Sequence, residues 1–572
     1  MVFEMQMYSE NHFCLFLMQP SNQEKRLGII SIPHNMKKYL LASCLAIILS
    51  SCSSVENHNR KLNDLKSEKD LKKDVDYTYK KLKKMHPNLY WYISKEKLDY
   101  KFDSLKTTIT QPMTSFAFYK KIAPVVNEVR QGHMMVYPDT RQFTKKETKE
   151  LIKKGTGPFS QFEFQIFNDK MYVVKNNSKD KSILPGFEVV AIDGKKADDL
   201  LKDYKNLFTS DGFNKTYYKY KLGKGFGGFY TNENGLKDSL LYNFKYNDSV
   251  KTVWIRRKAN DTAKVAVNDT VKTEVAKPLE KIVLTKVQKK AAKRKKSIFG
   301  YNEETKLYNR NLKFVEADSS VAVMKINAFA IGNYSTFYKE SFEKIKKNGA
   351  RTLIIDLRNN PGGRLSEIAD LYSYLTDTTM VFADKSEVAT KTSLLNGDYF
   401  KGGGAGIKVL KGVFYPLYVG YTFFKVKKAE DGKYYYSTSE SRPQEKNPNA
   451  FDGKIYVLIN GGSFSASCIL SSNLQGSKRA TFVGEETGGT YNGTVAGRMP
   501  LIKLPNSKLR VRVGLMLVAP HYKTDVEGRG IFPDVAILPT LEDKLKDIDP
   551  EMNWVIEDIK KNKNIGQTAS NN

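Results

Sequence analysis

Cysteine is scarce in this chain: four occur in 572 residues, Cys14, Cys44, Cys52 and Cys468. That is too few for a disulfide framework. Histidine is almost as rare, with six, so any step needing an imidazole has few candidates. Acidic residues are in deficit, 62 Asp+Glu against 93 Lys+Arg, for a net charge of +31. No apolar run reaches the about 20 residues of a membrane-spanning helix, which excludes a polytopic membrane protein. Also missing are a Walker loop, an H-E-x-x-H string, paired cysteines, an EF-hand loop and G-x-S-x-G, so no metal or organic cofactor is expected. What is present is ordinary globular material, 40% hydrophobic and 27% charged. The length predicts several domains, at roughly 100–200 residues each.

The amino terminus reads as a targeting segment. Met36-Lys37-Lys38 is a basic start, Tyr39 to Leu49 a short apolar run, and Leu49-Ser50-Ser51-Cys52 places small residues directly before a cysteine. This resembles a bacterial lipoprotein signal, which implies a lipidated Cys52 as the first mature residue. Residues 1–35 then read as an extension upstream of the true start, 36–52 as the signal and 53–70 as a polar tether. Cys468 becomes the lone unmodified thiol, and His58, His86, His133 and His521 the remaining imidazoles. The expected location is the cell envelope. Ser53-Ser54 carries no acidic residue after Cys52, which favours the outer membrane.

Apolar residues recur at helical spacing from Leu71 to Val129, interrupted at Pro87 and Pro112, and predict a small helical domain over 71–140. Residues 150–255 read as β-rich, and Leu184 to Gly194 is similar to the turn-and-strand segment of PDZ modules. Gly223-Lys224-Gly225-Phe226-Gly227-Gly228 matches a dinucleotide fingerprint by letters only and is read as a flexible turn. Lys251 to Lys296 holds fifteen basic and four acidic residues. Without aromatic platforms or a recognition-helix pattern this is a solvated basic insertion over 256–300, and no nucleic-acid partner is expected. From 301 to 545 buried strands alternate with helices, which predicts a mainly parallel α/β sheet; 546–572 is a terminal helix and tail. Within that unit Val413 to Phe424, rich in Phe and Tyr, reads as β-structure packed on the core, with a lid over a cleft as the other reading.

Two strings in the α/β region have the form of a buried strand running into small residues and then a helix. In Leu353 to Gly363 the strand ends at Asn359-Asn360-Pro361-Gly362-Gly363; in the second it ends at Asn460-Gly461-Gly462-Ser463-Phe464-Ser465-Ala466-Ser467-Cys468. Glycines let backbone N–H groups face outward, and a serine at a helix N-terminus stands where developing negative charge is favoured. One serine would serve as a cap; three at alternate positions exceed that need.

With Gly484-Glu485-Glu486-Thr487-Gly488-Gly489 following in the same order, these strings resemble the carboxyl-terminal-processing (tail-specific) and tricorn-core family of serine peptidases. The resemblance implies a ClpP/crotonase-like catalytic domain. It places the nucleophile on Ser465, and the oxyanion donors on the backbone N–H of Ala466 and one of Gly362 and Gly363. Processing-protease members have a lysine base after the G-E-x-T-x-G string, where this chain has Thr490, and Lys503 lies on a different element. The tricorn-like branch instead implies a histidine and a glutamate, matched by His133 after Gly132 and by Glu527 before Gly528-Arg529-Gly530-Ile531-Phe532-Pro533-Asp534. His521 is the competing base.

The expectation is a multi-domain α/β serine endopeptidase: a helical N-terminal domain, a PDZ-like β-rich domain and a ClpP/crotonase-like catalytic domain. Its substrate would be a polypeptide and its membrane partner the bilayer reached through Cys52. The rival expectation is an inactive peptide- or glycan-binding lipoprotein on the same scaffold.

Overall fold

The computed structural model describes residues 55–259, 285–315, 319–397 and 399–570; the 36–52 signal, with Cys52, lies outside them. Three N-terminal helices, Glu68–Met85, Lys95–Thr107 and Ser115–Asn127, are each capped by a hydroxyl, from Ser67, Ser94 and Thr114. Each cap satisfies a backbone N–H that the first helical turn leaves open. Two corrections arise beside them. The segment expected as a solvated tether is helical over 55–60, and the His58 ring lies 3.1 Å from the Thr140 carbonyl oxygen. The glycine string at 223–228 is not a turn but the middle of the Tyr217–Asn234 helix. There Gly223 and Gly227 let the helix approach Phe164 and Phe159 closely. Glycine lowers helix propensity, and tertiary packing overrides that loss.

Residues 162–256 form an antiparallel sheet in the order Phe162–Phe167, Lys170–Asn176, Glu188–Ile192, Ser239–Tyr246, Ser249–Arg256, with a two-residue strand at Lys195–Lys196 on Glu188–Ile192. Its core is continuous with that of the N-terminal helices, for Leu82, Phe118, Val173 and Phe244 belong to one buried cluster. The basic run, expected as a solvated insertion, contains a helix, Lys286–Phe299, with a Thr285–Gln288 capping box. Its exposed lysines are anchored at one end by the buried Ile298.

The α/β unit is built on a six-stranded sheet. Its order is Val535–Ala536, Thr481–Gly484, Lys454–Ile459, Thr352–Asp356, Val321–Ile326, Arg310–Val315. All neighbouring pairs are parallel except the last. The two central strands are apolar over most of their length because both faces are covered: helices Tyr334–Lys347, Leu365–Ser373 and Ala466–Gly476 pack with one face, and the C-terminal helix starting at Pro550 packs with the other. Arg358 ties that helix down, pairing with Asp356, Asp549 and Glu551.

Register places the chemistry. Thr352 pairs with Lys454 and Asp356 with Leu458, so both strands end at the same level and their following loops lie side by side. The Met135–Tyr137 strand pairs with Arg510–Arg512, which carries the N-terminal helical region onto the same end. The segment Val413 to Phe424 departs from expectation. It belongs to a 21-residue helix, Ala405–Lys425, because its apolar residues repeat at helical and not strand spacing.

Candidate active site

The loops after the two central strands are stitched together by their own polar groups. Asn460 accepts from the N–H groups of Asn359 and Gly462, both at 2.9 Å. Ser463 donates its hydroxyl to the Leu357 carbonyl at 2.8 Å, and Phe464 gives its N–H to Asn360 at 2.9 Å. The serines of the run therefore divide their work: Ser463 and Ser467 are buried structural donors. Ser465 alone is partly open between residues 455 and 474.

Ser465 directly precedes the Ala466–Gly476 helix with φ 57° and ψ −119°. An L-residue adopts that conformation only when its surroundings over-determine it. In that conformation the hydroxyl makes no capping hydrogen bond to the helix's first turn. Gly362 is the reason the turn fits. At φ 95° a Cβ there would stand 2.6 Å from both the Ala466 nitrogen and the Phe464 oxygen. Gly362→Ala is therefore expected to cost about 3 kcal/mol of stability, since both clashing groups are backbone, with an activity loss of about 10²-fold; denaturant unfolding and steady-state kinetics would show the two together. Gly362 gives its N–H to the Asn360 side chain at 2.9 Å. Gly363 is the glycine whose N–H is not engaged in this way.

His133 comes from 332 residues upstream by chain number, following the Ser115–Asn127 helix. Its ring stacks on Phe464 at 5.1 Å, and Tyr217 stacks on the same phenyl group at 4.6 Å. The imidazole is thereby held next to the residue preceding Ser465, although no hydrogen bond joins His133 to Ser465 among the described residues. Its Nδ1 lies 3.0 Å from Thr494 Oγ1, and Thr494 donates that hydroxyl to Asp211 Oδ1 at 3.2 Å. A hydroxyl has one proton; once it is given to a carboxylate, the oxygen can only accept from Nδ1–H. That assignment leaves Nε2 unprotonated. Burial, with Arg512 nearby, pushes the ring's pKa down to about 3, so the imidazole is neutral near pH 7.

Asp211 was not among the residues singled out from sequence. It is buried and also accepts the Gly132 N–H at 2.7 Å, while its Oδ2 has no hydrogen-bond partner among the described residues. Burial pushes its pKa up to about 7, against the hydrogen bonds from Gly132 and Thr494. No motif marks it: Ser210-Asp211-Gly212 has the composition of any turn.

Glu527 is exposed, and its carboxylate accepts from Asn492 Nδ2 at 3.0 Å. Its neighbour Gly528 packs on Gly212 and accepts the Phe213 N–H at 2.7 Å, so Glu527 borders the turn that holds Asp211 without pairing with His133. Thr490 is buried and donates to Gly493 at 2.6 Å, while Lys503 is exposed on the Leu501–Lys503 strand. His521 is exposed, 4.0 Å from Asp384, and outside the cluster. Ser465, Ala466, Gly362, Gly363 and His133 thus converge; Glu527 stands at their margin. Among the described residues no group of three or more His, Cys, Asp or Glu side chains could hold a metal ion.

Known proteins resemble the α/β region in sequence and the chain more widely in fold. A probable CtpA-like serine protease of Staphylococcus epidermidis is 26% identical over 224 residues, 39% of this chain and 34% of that one. A carboxy-terminal-processing protease of Bartonella bacilliformis is 26% identical over 211 residues, 37% and 36% of the two chains. The chain thus spans about a third of the length of these curated relatives. Among solved structures, mature CPAF matches with a TM-score of 0.51 at 15% identity over 84% of this chain and 94% of that one. Mature CPAF complexed with lactacystin matches at 0.53 and 15%, over 88% and 99%, which is a likeness of fold. Residues 320–537, which hold Ser465 and Glu527 but not His133 or Asp211, match the model of peptidase family S41.

Proposed function

We propose that the chain is a serine peptidase that hydrolyses polypeptides through an acyl-enzyme on Ser465. The observation that carries the reading is the strained, half-open Ser465 at a helix N-terminus beside a neutral, buried histidine. In this reading His133 Nε2 takes the Oγ proton as the oxygen attacks the scissile carbonyl. The Ala466 and Gly363 N–H groups receive the oxyanion, and His133 then returns the proton to the leaving amine. Water repeats the sequence to release the acid product.

Nδ1 must keep its proton while Nε2 gains one, and Thr494 backed by Asp211 supports that orientation. Glu527 is the carboxylate that the tricorn-like resemblance assigns to this task; its place on Asn492 favours Asp211. A fluorophosphonate probe on the purified chain tests the reading. Covalent labelling confined to Ser465 by peptide mass spectrometry, and absent from Ser465→Ala, is the expected result. A folded chain that takes no label would make it a binding scaffold. The lipid anchor at Cys52 is part of the same proposal for an exported enzyme, and N-terminal sequencing that finds residues before Cys52 in the mature chain would remove it.

A further inference from the structure

The Ala405–Lys425 helix is amphipathic with its apolar side facing outward. Leu410, Val413, Phe414, Leu417, Tyr421 and Phe424 recur at helical spacing on one face, and all are exposed, Leu417 by 69% and Phe424 by 78%. The flank beside it makes the contacts with the body. Thr422 is buried there, and Tyr418 donates to the Leu394 carbonyl at 3.3 Å and also meets Arg498. A surface helix normally turns its apolar stripe to the core, and a contiguous exposed stripe of this kind marks an interaction site.

Charge around the stripe identifies the occupant. Residues 399–429 contain six lysines, 401, 408, 411, 425, 427 and 428, and no acidic residue. We infer that this helix lies on an anionic lipid bilayer, its stripe among the acyl chains and its lysines at the headgroups. Aromatic and aliphatic residues on one face with lysines beside them are what an interfacial helix requires. Among the described residues no helix is long and apolar enough to cross a membrane, so this one rests on the surface. A second copy fits the stripe poorly, because facing helices would bring two six-lysine segments together. The inference stands apart from the peptidase chemistry and from any lipid on Cys52.

The test uses residues 55–572, since all three buried clusters lie between Leu71 and Ile559. The chain is sedimented with phosphatidylcholine vesicles with and without about 30 mol% phosphatidylglycerol. Binding to the anionic vesicles is expected to be at least about tenfold tighter and to weaken in high salt. Val413→Asp/Leu417→Asp, at two exposed positions, should abolish it with an unchanged circular-dichroism spectrum. Leu417→Trp should show an emission shift to the blue only with the anionic vesicles. Equal binding by the double-aspartate variant, or none by the parent chain, overturns the inference. So does concentration-dependent self-association that the double-aspartate variant removes, which would assign the stripe to a second copy.

Discussion

Ser465→Ala is expected to lower kcat/KM for peptide hydrolysis by at least about 10⁴-fold, with little change in stability. Alanine keeps the Cβ, so the backbone at φ 57° and ψ −119° remains as strained as with serine. Ser465→Gly separates strain from chemistry. It should be equally inactive, yet more stable by about 1 kcal/mol. Relief of roughly 1–3 kcal/mol of backbone strain exceeds the about 0.5–1 kcal/mol that glycine loses through its freer unfolded chain. Chemical denaturation of the three proteins measures the difference. A Ser465→Ala chain with wild-type turnover would end the nucleophile assignment, and a less stable Ser465→Gly would show that the turn stores no strain.

Asp211→Asn is expected to lower kcat by at least about 10²-fold with little effect on KM, because it acts on the base through Thr494 and not on the substrate. The pH profile distinguishes it from a merely structural change. With a folded pKa of about 7, Asp211 loses its charge as pH falls through neutrality. The imidazolium formed during the reaction then loses its support. Wild-type kcat should decline below about pH 7, and the Asp211→Asn chain should lack that limb. Glu527→Gln should retain it; if Glu527→Gln removes the limb and Asp211→Asn does not, the orienting role belongs to Glu527.

Stability runs the other way. The folded pKa of Asp211 is raised from 3.8 to about 7, so between those values the folded chain holds a proton that the unfolded chain releases. The contribution to stability is then fully present below about pH 4 and falls as pH rises through 7. Asp211→Asn should accordingly be more stable at pH 8, by at most about 4 kcal/mol on the scale of 1.36 kcal/mol per unit. His133 contributes oppositely, since its pKa falls from 6.5 to about 3 and stability is lost on acidification below about 6.5. A buried carboxylate that weakens the fold at working pH is consistent with retention for the reaction.

Several features were legible before any coordinates. The strands expected to run into Asn359 and Asn460 lie there, as Thr352–Asp356 and Lys454–Ile459, because a strand covered on both faces writes itself as a nearly uninterrupted apolar segment. The Ser465 loop and the glycine pair opposite it could be read as strand-to-helix turns because local backbone geometry demands small residues there, while the role of Ser465 is what the family resemblance implies. The Ala405–Lys425 helix is legible only from its spacing: its aromatic content suggests β-structure, although a helical period runs throughout.

Other features had no local signature. Asp211 and Thr494 are ordinary turn and strand residues until a chain separation of 283 residues is closed and they meet over 3.2 Å. The three N-terminal helices and the antiparallel sheet read as separate domains, since a shared core leaves no mark in either segment alone. By itself, then, the sequence determined the sheet, the serine turn and the residue types able to react. Tertiary structure alone decided that Asp211 meets His133 by way of Thr494. Register and loop docking bring distant groups to within hydrogen-bond range, and burial then sets their charge, neither of which a local pattern of residues encodes.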